Sequence, residues 1–216
     1  MSEVMRDDRP FATVYTAALR GTGCHVEWLD DDLTPLPVTE WRRTADGSDR
    51  VLLDHCLGDT LDLGCGPGRM GEYLVRRGHR VLGVDIVAEA AHQATSRGLE
   101  TWVGDVFDPL PREGSWQTAL LADGNIGIGG DPTALLRRVR ELVAPGGRVV
   151  VDLRPPGRGV RHRWARIRTD HATSRPFRWA LVSADAVAAL AATAGFPGAA
   201  VRVHEGRWYA VLGDRR

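Results

Sequence analysis

The stretch Leu61-Asp62-Leu63-Gly64-Cys65-Gly66-Pro67-Gly68-Arg69-Met70 constrains this chain more than any other, because it joins a short apolar strand to a helix through a glycine-rich turn. Three glycines at alternate positions let the backbone approach a ligand without Cβ clashes. Pro67 suits the first helical turn, where a missing N–H costs nothing. The helix that follows aims its unpaired N–H groups and positive dipole end at whatever occupies the turn. Such a cradle suits a nucleoside-bearing ligand. Gly66, Gly68 and Gly71 also spell G-x-G-x-x-G, and the strand Arg80 to Asp85 ends in an acid placed to accept ribose hydroxyls.

On these residues alone NAD and S-adenosylmethionine fit equally well. Asp62 within the strand, Asp105 in Gly104-Asp105-Val106 and the run Ala144-Pro145-Gly146-Gly147-Arg148 separate them. With these the chain resembles the class I S-adenosylmethionine-dependent methyltransferases from about Asp59 to Leu153, close to half its length. The resemblance implies that Asp62, Gly64, Gly66 and Gly68 hold the methionine end of the cofactor and Asp85 the ribose. It assigns Asp105 to the adenine amino group and the Val106 N–H to the ring. Cys65, Ile86, Gly104 and Ala122 complete the implied cofactor contacts, with Cys65 a small packing residue. The segment Leu120 to Asn125 matches the family's fourth strand and edge, so Asp123 and Asn125 are expected at the methionine amine or the acceptor. Tyr15, on a helix ahead of the core, is expected to close over the cofactor carboxylate. The implied fold is a doubly wound, Rossmann-like α/β sheet with an antiparallel last strand.

The periodicity along the chain supports that architecture. Helices are expected at Phe11 to Arg20, Ser48 to Cys56, Arg69 to Arg77, Val87 to Arg97 and Pro132 to Val143, and glycines just past several helix ends act as left-handed stops. Strands are expected at Glu100 to Val103, Thr118 to Ala122 and Arg148 to Leu153, and the last two lack clean alternation, as in a sheet covered on both faces. Ser183 is expected to cap a helix from Asp185 to Ala194, ahead of a closing antiparallel pair, Ala200 to His204 and Arg207 to Leu212. Cys24 to Leu29 reads as extended and Asp30-Asp31-Asp32 as a solvated turn. Residues 1–57 therefore form an N-terminal cap and 58–216 the cofactor-binding core, with a substrate-facing insert at about 154–182.

The chain has 216 residues and 43% hydrophobic content, enough for one well-buried core. It shows no leader peptide and no apolar run near the roughly twenty residues of a spanning helix, so a cytoplasmic protein without membrane contact is expected. Cys24, Cys56 and Cys65 lack ligand spacing, and no metal is expected. Asp123 and Asp152 lie where a magnesium-dependent subfamily keeps its acids, but Leu153 stands where that subfamily has Asn. All 28 basic residues are arginine and the net charge is zero, which gives no general drive toward nucleic acid.

Ligands of open α/β sheets bind beyond the carboxyl ends of the strands, so the acceptor is expected near Asp123, Leu153 and the cap. Residues 154–178 carry eight arginines among Trp164, Ile167 and Phe177, with Trp179 just beyond, and read as a hairpin of 161–169 with 175–182. One or two of these arginines are expected to clamp a substrate anion. His162 and His171 in this segment are the candidate general bases. The base-amino methylases of the family carry Asn/Asp-Pro-Pro-aromatic after the fourth strand. Asp123-Gly124-Asn125 stands here instead, so a small-molecule acceptor is favoured over nucleic acid. The expected product is S-adenosylhomocysteine, from a monomer or homodimer methylating O or N. The alternatives are a cofactor-binding accessory protein without transfer, an RNA methyltransferase or an NAD-dependent reductase.

Overall fold

The computed structural model describes residues 8–29 and 33–213; the Asp30-Asp31-Asp32 turn lies outside the described residues. Ahead of the glycine turn run β1 (Asp8–Arg9), α1 (Phe11–Leu19), β2 (His25–Trp28), β3 (Leu33–Pro35), α2 (Val38–Arg42) and α3 (Gly47–Leu53). The core alternates through β4 (Thr60–Leu63), α4 (Arg69–Arg76), β5 (Val81–Asp85), α5 (Ala88–Ser96), β6 (Glu100–Val103) and β7 (Trp116–Leu121), then a 3₁₀ segment (Asn125–Gly130), α6 (Pro132–Leu142) and β8 (Val143–Leu153). The chain closes with β9 (Val160–Arg168), β10 (Thr173–Ser174), β11 (Phe177–Val182), α7 (Val187–Thr193), β12 (Ala199–His204) and β13 (Arg207–Leu212).

Seven strands form the main sheet in the order β12-β13-β8-β7-β4-β5-β6. β6, β5, β4, β7 and β8 pair in parallel, while β13 joins β8 and β12 joins β13 antiparallel. This is the doubly wound sheet expected, with its antiparallel closing strands. Every residue of β4 is buried, because helices cover both faces. α6 shows how sequence places one of them. The Asp131 carboxylate accepts the Thr133 and Ala134 N–H groups, Pro132 sits at the first helical position, and Leu135, Leu136, Val139 and Leu142 turn one apolar stripe inward. All four are fully buried against Leu61, Leu121, Val149 and Val151. Truncating any of the three leucines to Ala removes about 2–5 kcal/mol.

Two local expectations change. Ser183 is not the cap of α7; Ala186 holds that position without a side-chain hydrogen bond, and the Ser183 backbone bridges to Arg154 instead. The region after Leu29 holds a short strand, β3, ending at Pro35, and a short helix, α2, beginning after Pro37, neither of which was expected.

The expected hairpin forms, β9 pairing with β11 from Val160↔Val182 to Ala165↔Phe177. It does not stand apart from the N-terminal segment. β2 pairs with the other edge of β9, His25↔Arg168 through Trp28↔Ala165, and β3, β10 and β1 extend the same second sheet. Strand alternation then puts Val26, Trp28, Ile167, Phe177, Trp179 and Leu181 on one face. That face lies over the carboxyl ends of the main sheet. The contact is close at Gly127, where a Cβ would stand 2.1 Å from the Ala180 carbonyl oxygen and 2.5 Å from Trp179 Nε1. No helix among the described residues is long and apolar enough to cross a membrane.

Candidate functional site

Between the two sheets lies a cavity of about 830 Å³. Its floor is the turn after β4 and the strand ends beside it. Gly64, Gly66 and Gly68 take φ values of 73°, 53° and 89°, a left-handed region closed to most side chains. A Cβ on Gly66 would meet only the Tyr15 hydroxyl, at 3.9 Å, so this backbone faces open space. Asn125 holds the turn from behind, its Nδ2 donating to the Leu63 and Gly64 carbonyls at 2.9 Å each. Cys65 is buried against Gly83, and burial pushes its thiol well above the usual range.

Carboxylates line this floor. Asp85 accepts the Gly66 N–H at 3.0 Å and the Val87 N–H at 2.9 Å, yet burial still raises its carboxyl. Asp62 is 1% exposed and its Oδ2 has no hydrogen-bond partner. Burial, and then the charge of Asp123, push its carboxyl up to about 7, against the opposing pull of Arg69 and the Gly71 N–H. Asp105 accepts the Phe107 N–H with one oxygen at 3.0 Å. Ile86, Gly104, Val106 and Ala122 lie along the same floor. Thus the residues the sequence assigns to the cofactor line this cavity, Tyr15 from above and the others along the floor, except Gly68, which packs against Ala94 of α5.

A buried ionic network adjoins the floor. Asp123 has a left-handed backbone, φ 51°, which presents its carboxylate to Arg69 at 2.5 Å. Asp152 accepts from Arg207 at 2.7 Å and from the Asp123 N–H at 3.2 Å. Both arginines converge on Asp49, which is fully buried in α3; Arg207 reaches it at 2.5 Å, and Arg69 and the half-buried Arg43 also pair with it. Burial alone would raise the Asp49 carboxyl, but the bonds from Arg69, Arg207 and the Asp46 N–H outweigh it and hold the group well below the carboxylate range. Nothing local in the sequence marks Asp49, Arg69 and Arg207 as partners. The only signal is an arginine inside the apolar strand β13.

Tyr15 stands where α1 meets the glycine turn. Burial first, then the charge of Asp85, holds its phenol above the usual range, so it is a hydrogen-bond donor rather than a base. The histidine expectations need correction. His162 sits on the face of β9 opposite the cavity, exposed, with Nδ1 against the Gly130 carbonyl at 2.7 Å. His171 lies exposed in the turn between β9 and β10, and neither histidine lines the cavity. Period-two alternation explains His162: one position along β9 decides which side of the sheet a side chain serves.

Of the eight arginines in 154–178, only Arg154 and Arg178 line the cavity. Arg178 stacks its guanidinium on Trp164 at 5.0 Å on the outer face. The Arg154 side chain has no ion-pair or hydrogen-bond partner among the described residues. The roof is aromatic. Phe11, Tyr15, Trp28, Trp41, Phe177 and Trp179 come from α1, β2, α2 and β11. Sequence reasoning missed Phe11, Trp28 and Trp41, because only the pairing of β2 with β9 brings the N-terminal segment over the site.

Comparison with known proteins agrees with this arrangement. Residues 60–147 match a family model described as a methyltransferase domain. The ubiquinone biosynthesis O-methyltransferase of Aeromonas salmonicida is 34% identical over 98 residues, 43% of this chain and 41% of that one. The protein of the same name from Xylella fastidiosa is 31% identical over 98 residues, 43% of this chain and 40% of that one. The chain therefore spans about two-fifths of the length of these curated relatives. Among solved structures, a SAM-dependent methyltransferase from Bacteroides fragilis in complex with S-adenosyl-L-homocysteine superposes with TM-score 0.78 at 21% identity, covering 98% of this chain and 97% of that one. A Burkholderia thailandensis 1,6-didemethyltoxoflavin-N1-methyltransferase does so with TM-score 0.57 at 20% identity, covering 98% and 96%. At these identities the likeness is one of fold.

Proposed function

Because this chain belongs to the class I S-adenosylmethionine-dependent methyltransferase family, we propose that it transfers a methyl group from S-adenosylmethionine to an oxygen or nitrogen of a small-molecule acceptor, releasing S-adenosylhomocysteine. The observation that carries this reading is the acidic floor, above all the orphaned Oδ2 of buried Asp62 beside an open glycine turn. A cationic ligand satisfies that oxygen. The diphosphate of NAD, seated on the glycine turn, would bring like charge toward Asp62 and leave its unpartnered oxygen without a donor. The relatives include one named for O-methylation and one for N1-methylation, and both atoms stay within the proposal.

When bound, S-adenosylmethionine supplies an electrophilic methyl on a sulfonium, which leaves as a neutral thioether after in-line displacement. Asp62 and the Gly64–Gly68 turn hold the methionine end, and Asp85 offers its remaining lone pairs to the ribose hydroxyls. The second oxygen of Asp105 takes the adenine amino group, while Ile86 and the Val106 backbone flank the ring. Tyr15, kept neutral, donates from above the turn toward the cofactor carboxylate. Asp123 and Asp152, at the acceptor edge, are ion-paired to Arg69 and Arg207, so they shape the field rather than abstract a proton. Rate enhancement then rests on orienting the acceptor and excluding water beneath the second sheet.

In this reading the core from residue 58 holds the donor, and the 1–57 segment with insert 154–182 covers the acceptor. The closed roof suits a diffusible metabolite better than a nucleic acid strand. Action in the cytoplasm as a monomer or homodimer completes the proposal. Calorimetric titration with S-adenosylmethionine, S-adenosylhomocysteine and NAD tests the donor, NAD binding being the result that sinks it. Labelled-methyl incorporation over a metabolite panel tests transfer. Tight donor binding with no incorporation on any acceptor would favour an accessory binding role.

A further inference from the structure

Resting on the donor assignment above, we propose that the acceptor is a planar aromatic or heteroaromatic acid, its ring held against the roof and its anionic substituent on Arg154. The chain has fourteen aromatic residues, and seven of them line this one cavity: the six roof residues and Phe107 at the floor. Five of the roof rings form a continuous series. Trp41 meets Tyr15 at 6.2 Å, Tyr15 stacks on Phe11 at 5.3 Å, Phe11 meets the edge of Phe177 at 5.0 Å, and Phe177 meets Trp179 at 6.3 Å. Trp28 faces the cavity from the other side of β9, held under the Arg163 guanidinium at 4.9 Å. Offset and edge-on ring contacts are the geometry that a further planar ring joins favourably.

Volume allows two occupants. About 830 Å³ lies near the top of the roughly 300–1,000 Å³ range of single-ligand pockets, so a cofactor on the floor leaves space beneath the roof. Charge decides the acceptor's sign. Among the described residues the roof segments bring no acidic side chain to the cavity, and Asp123 and Asp152 at its edge are already paired with Arg69 and Arg207, so a cationic amine would find rings but no free counter-ion there. Arg154 follows directly on Leu153 at the end of β8 and lacks any carboxylate partner among the described residues, whereas Arg69, Arg97, Arg138 and Arg207 are all ion-paired. Guanidinium recognises carboxylates and sulfonates bidentately.

The test uses the full chain with three matched probes: 4-hydroxybenzoate, its amide, and cis-4-hydroxycyclohexanecarboxylate. Affinities are read by ligand-observed NMR competition with and without S-adenosylhomocysteine. The aryl acid should bind roughly tenfold more tightly than either the amide or the saturated acid. Arg154→Gln should erase the preference over the amide. Trp179→Leu, and separately Phe177→Leu, should erase the preference over the saturated acid, with unfolding midpoints measured so that two independent ring deletions report the same slot. Equal retention of the three probes, preference for the saturated acid, or failure of all three to bind at millimolar concentration overturns the proposal. Affinity for S-adenosylhomocysteine is measured in parallel by calorimetry. Its loss strikes at the donor assignment, whereas a missing ring preference with intact S-adenosylhomocysteine binding strikes at the aryl slot alone.

Discussion

If Asp62 receives the cationic end of the donor, binding must expel a proton. In the free protein its carboxyl titrates at about 7, because burial and the nearby Asp123 charge penalise ionisation and one oxygen is unpartnered. A cation arriving within hydrogen-bond reach lowers a carboxyl pKa by about 1–3 units. With a bound value near 5, about 0.7 of a proton leaves per donor bound at pH 6.5, and almost none at pH 8.5, where the group is already ionised. Calorimetric titrations with S-adenosylhomocysteine at pH 6.5 in phosphate, PIPES and imidazole read this as the slope of observed enthalpy against buffer ionisation enthalpy. Asp62→Asn should flatten the slope and weaken binding by about 10- to 100-fold, the worth of a charged hydrogen bond. The same group sets a stability trend in the free protein. Its raised value means the folded state holds a proton that the unfolded chain has lost between about pH 4 and 7, so this contribution falls as pH rises through that window. A zero buffer slope at pH 6.5 with intact binding would refute the assignment of Asp62 to the methionine ammonium.

Further outcomes follow from the packing. Asp49→Asn removes the buried carboxylate that Arg69 and Arg207 share, leaving Asp123 and Asp152 as their remaining partners, and should cost about 3–5 kcal/mol, a fall of roughly 6–20 °C in Tm by circular dichroism. Because the Asp49 carboxyl is held below its ordinary value, its contribution is present above about pH 4 and lost as pH falls further, so wild type and variant should converge in acid. Gly68→Ala would combine φ 89° with a Cβ 2.8 Å from the Ala94 Cα and should lower stability by at least about 1–3 kcal/mol in urea unfolding. Gly66→Ala, whose Cβ meets only Tyr15 but must take φ 53°, should cost about 1–2 kcal/mol of backbone strain, without the steric clash that Gly68→Ala adds, while losing affinity for S-adenosylhomocysteine. Once an acceptor is in hand, His162→Ala and His171→Ala should leave turnover within about twofold, since general-base loss would cost about 10²–10⁴.

The parts legible in the sequence are those governed by neighbours in the chain. α6 announces itself through the Asp131 cap, Pro132 and a stripe of three leucines and a valine, and β4 and β7 through short, largely apolar runs. The donor wall is readable for the same reason: Asp62 to Gly68 is one continuous strand, turn and helix start. The acceptor side is not, because it depends on pairings such as Val26↔Ile167 between residues far apart in sequence, which no local periodicity encodes. β1, β3, β10 and α2 are too short to carry a period at all. His162 shows the limit most directly. Its segment lies over the cavity, but its side of the strand depends on register, and register is set by β11 and β2 rather than by the strand itself.

That β9 is flanked by strands from opposite ends of the chain also bears on how such a protein can diversify. On the proposed function, acceptor recognition is a composite trait, written half before the donor-binding core and half after it. Grafting a relative's 160–182 segment alone would leave β2 facing a foreign edge, and Trp28 would lose its place beside Ala165. A chimera that carries both segments together keeps the interlock and changes specificity as one unit; a single-segment exchange should bind S-adenosylhomocysteine and accept neither parent's acceptor.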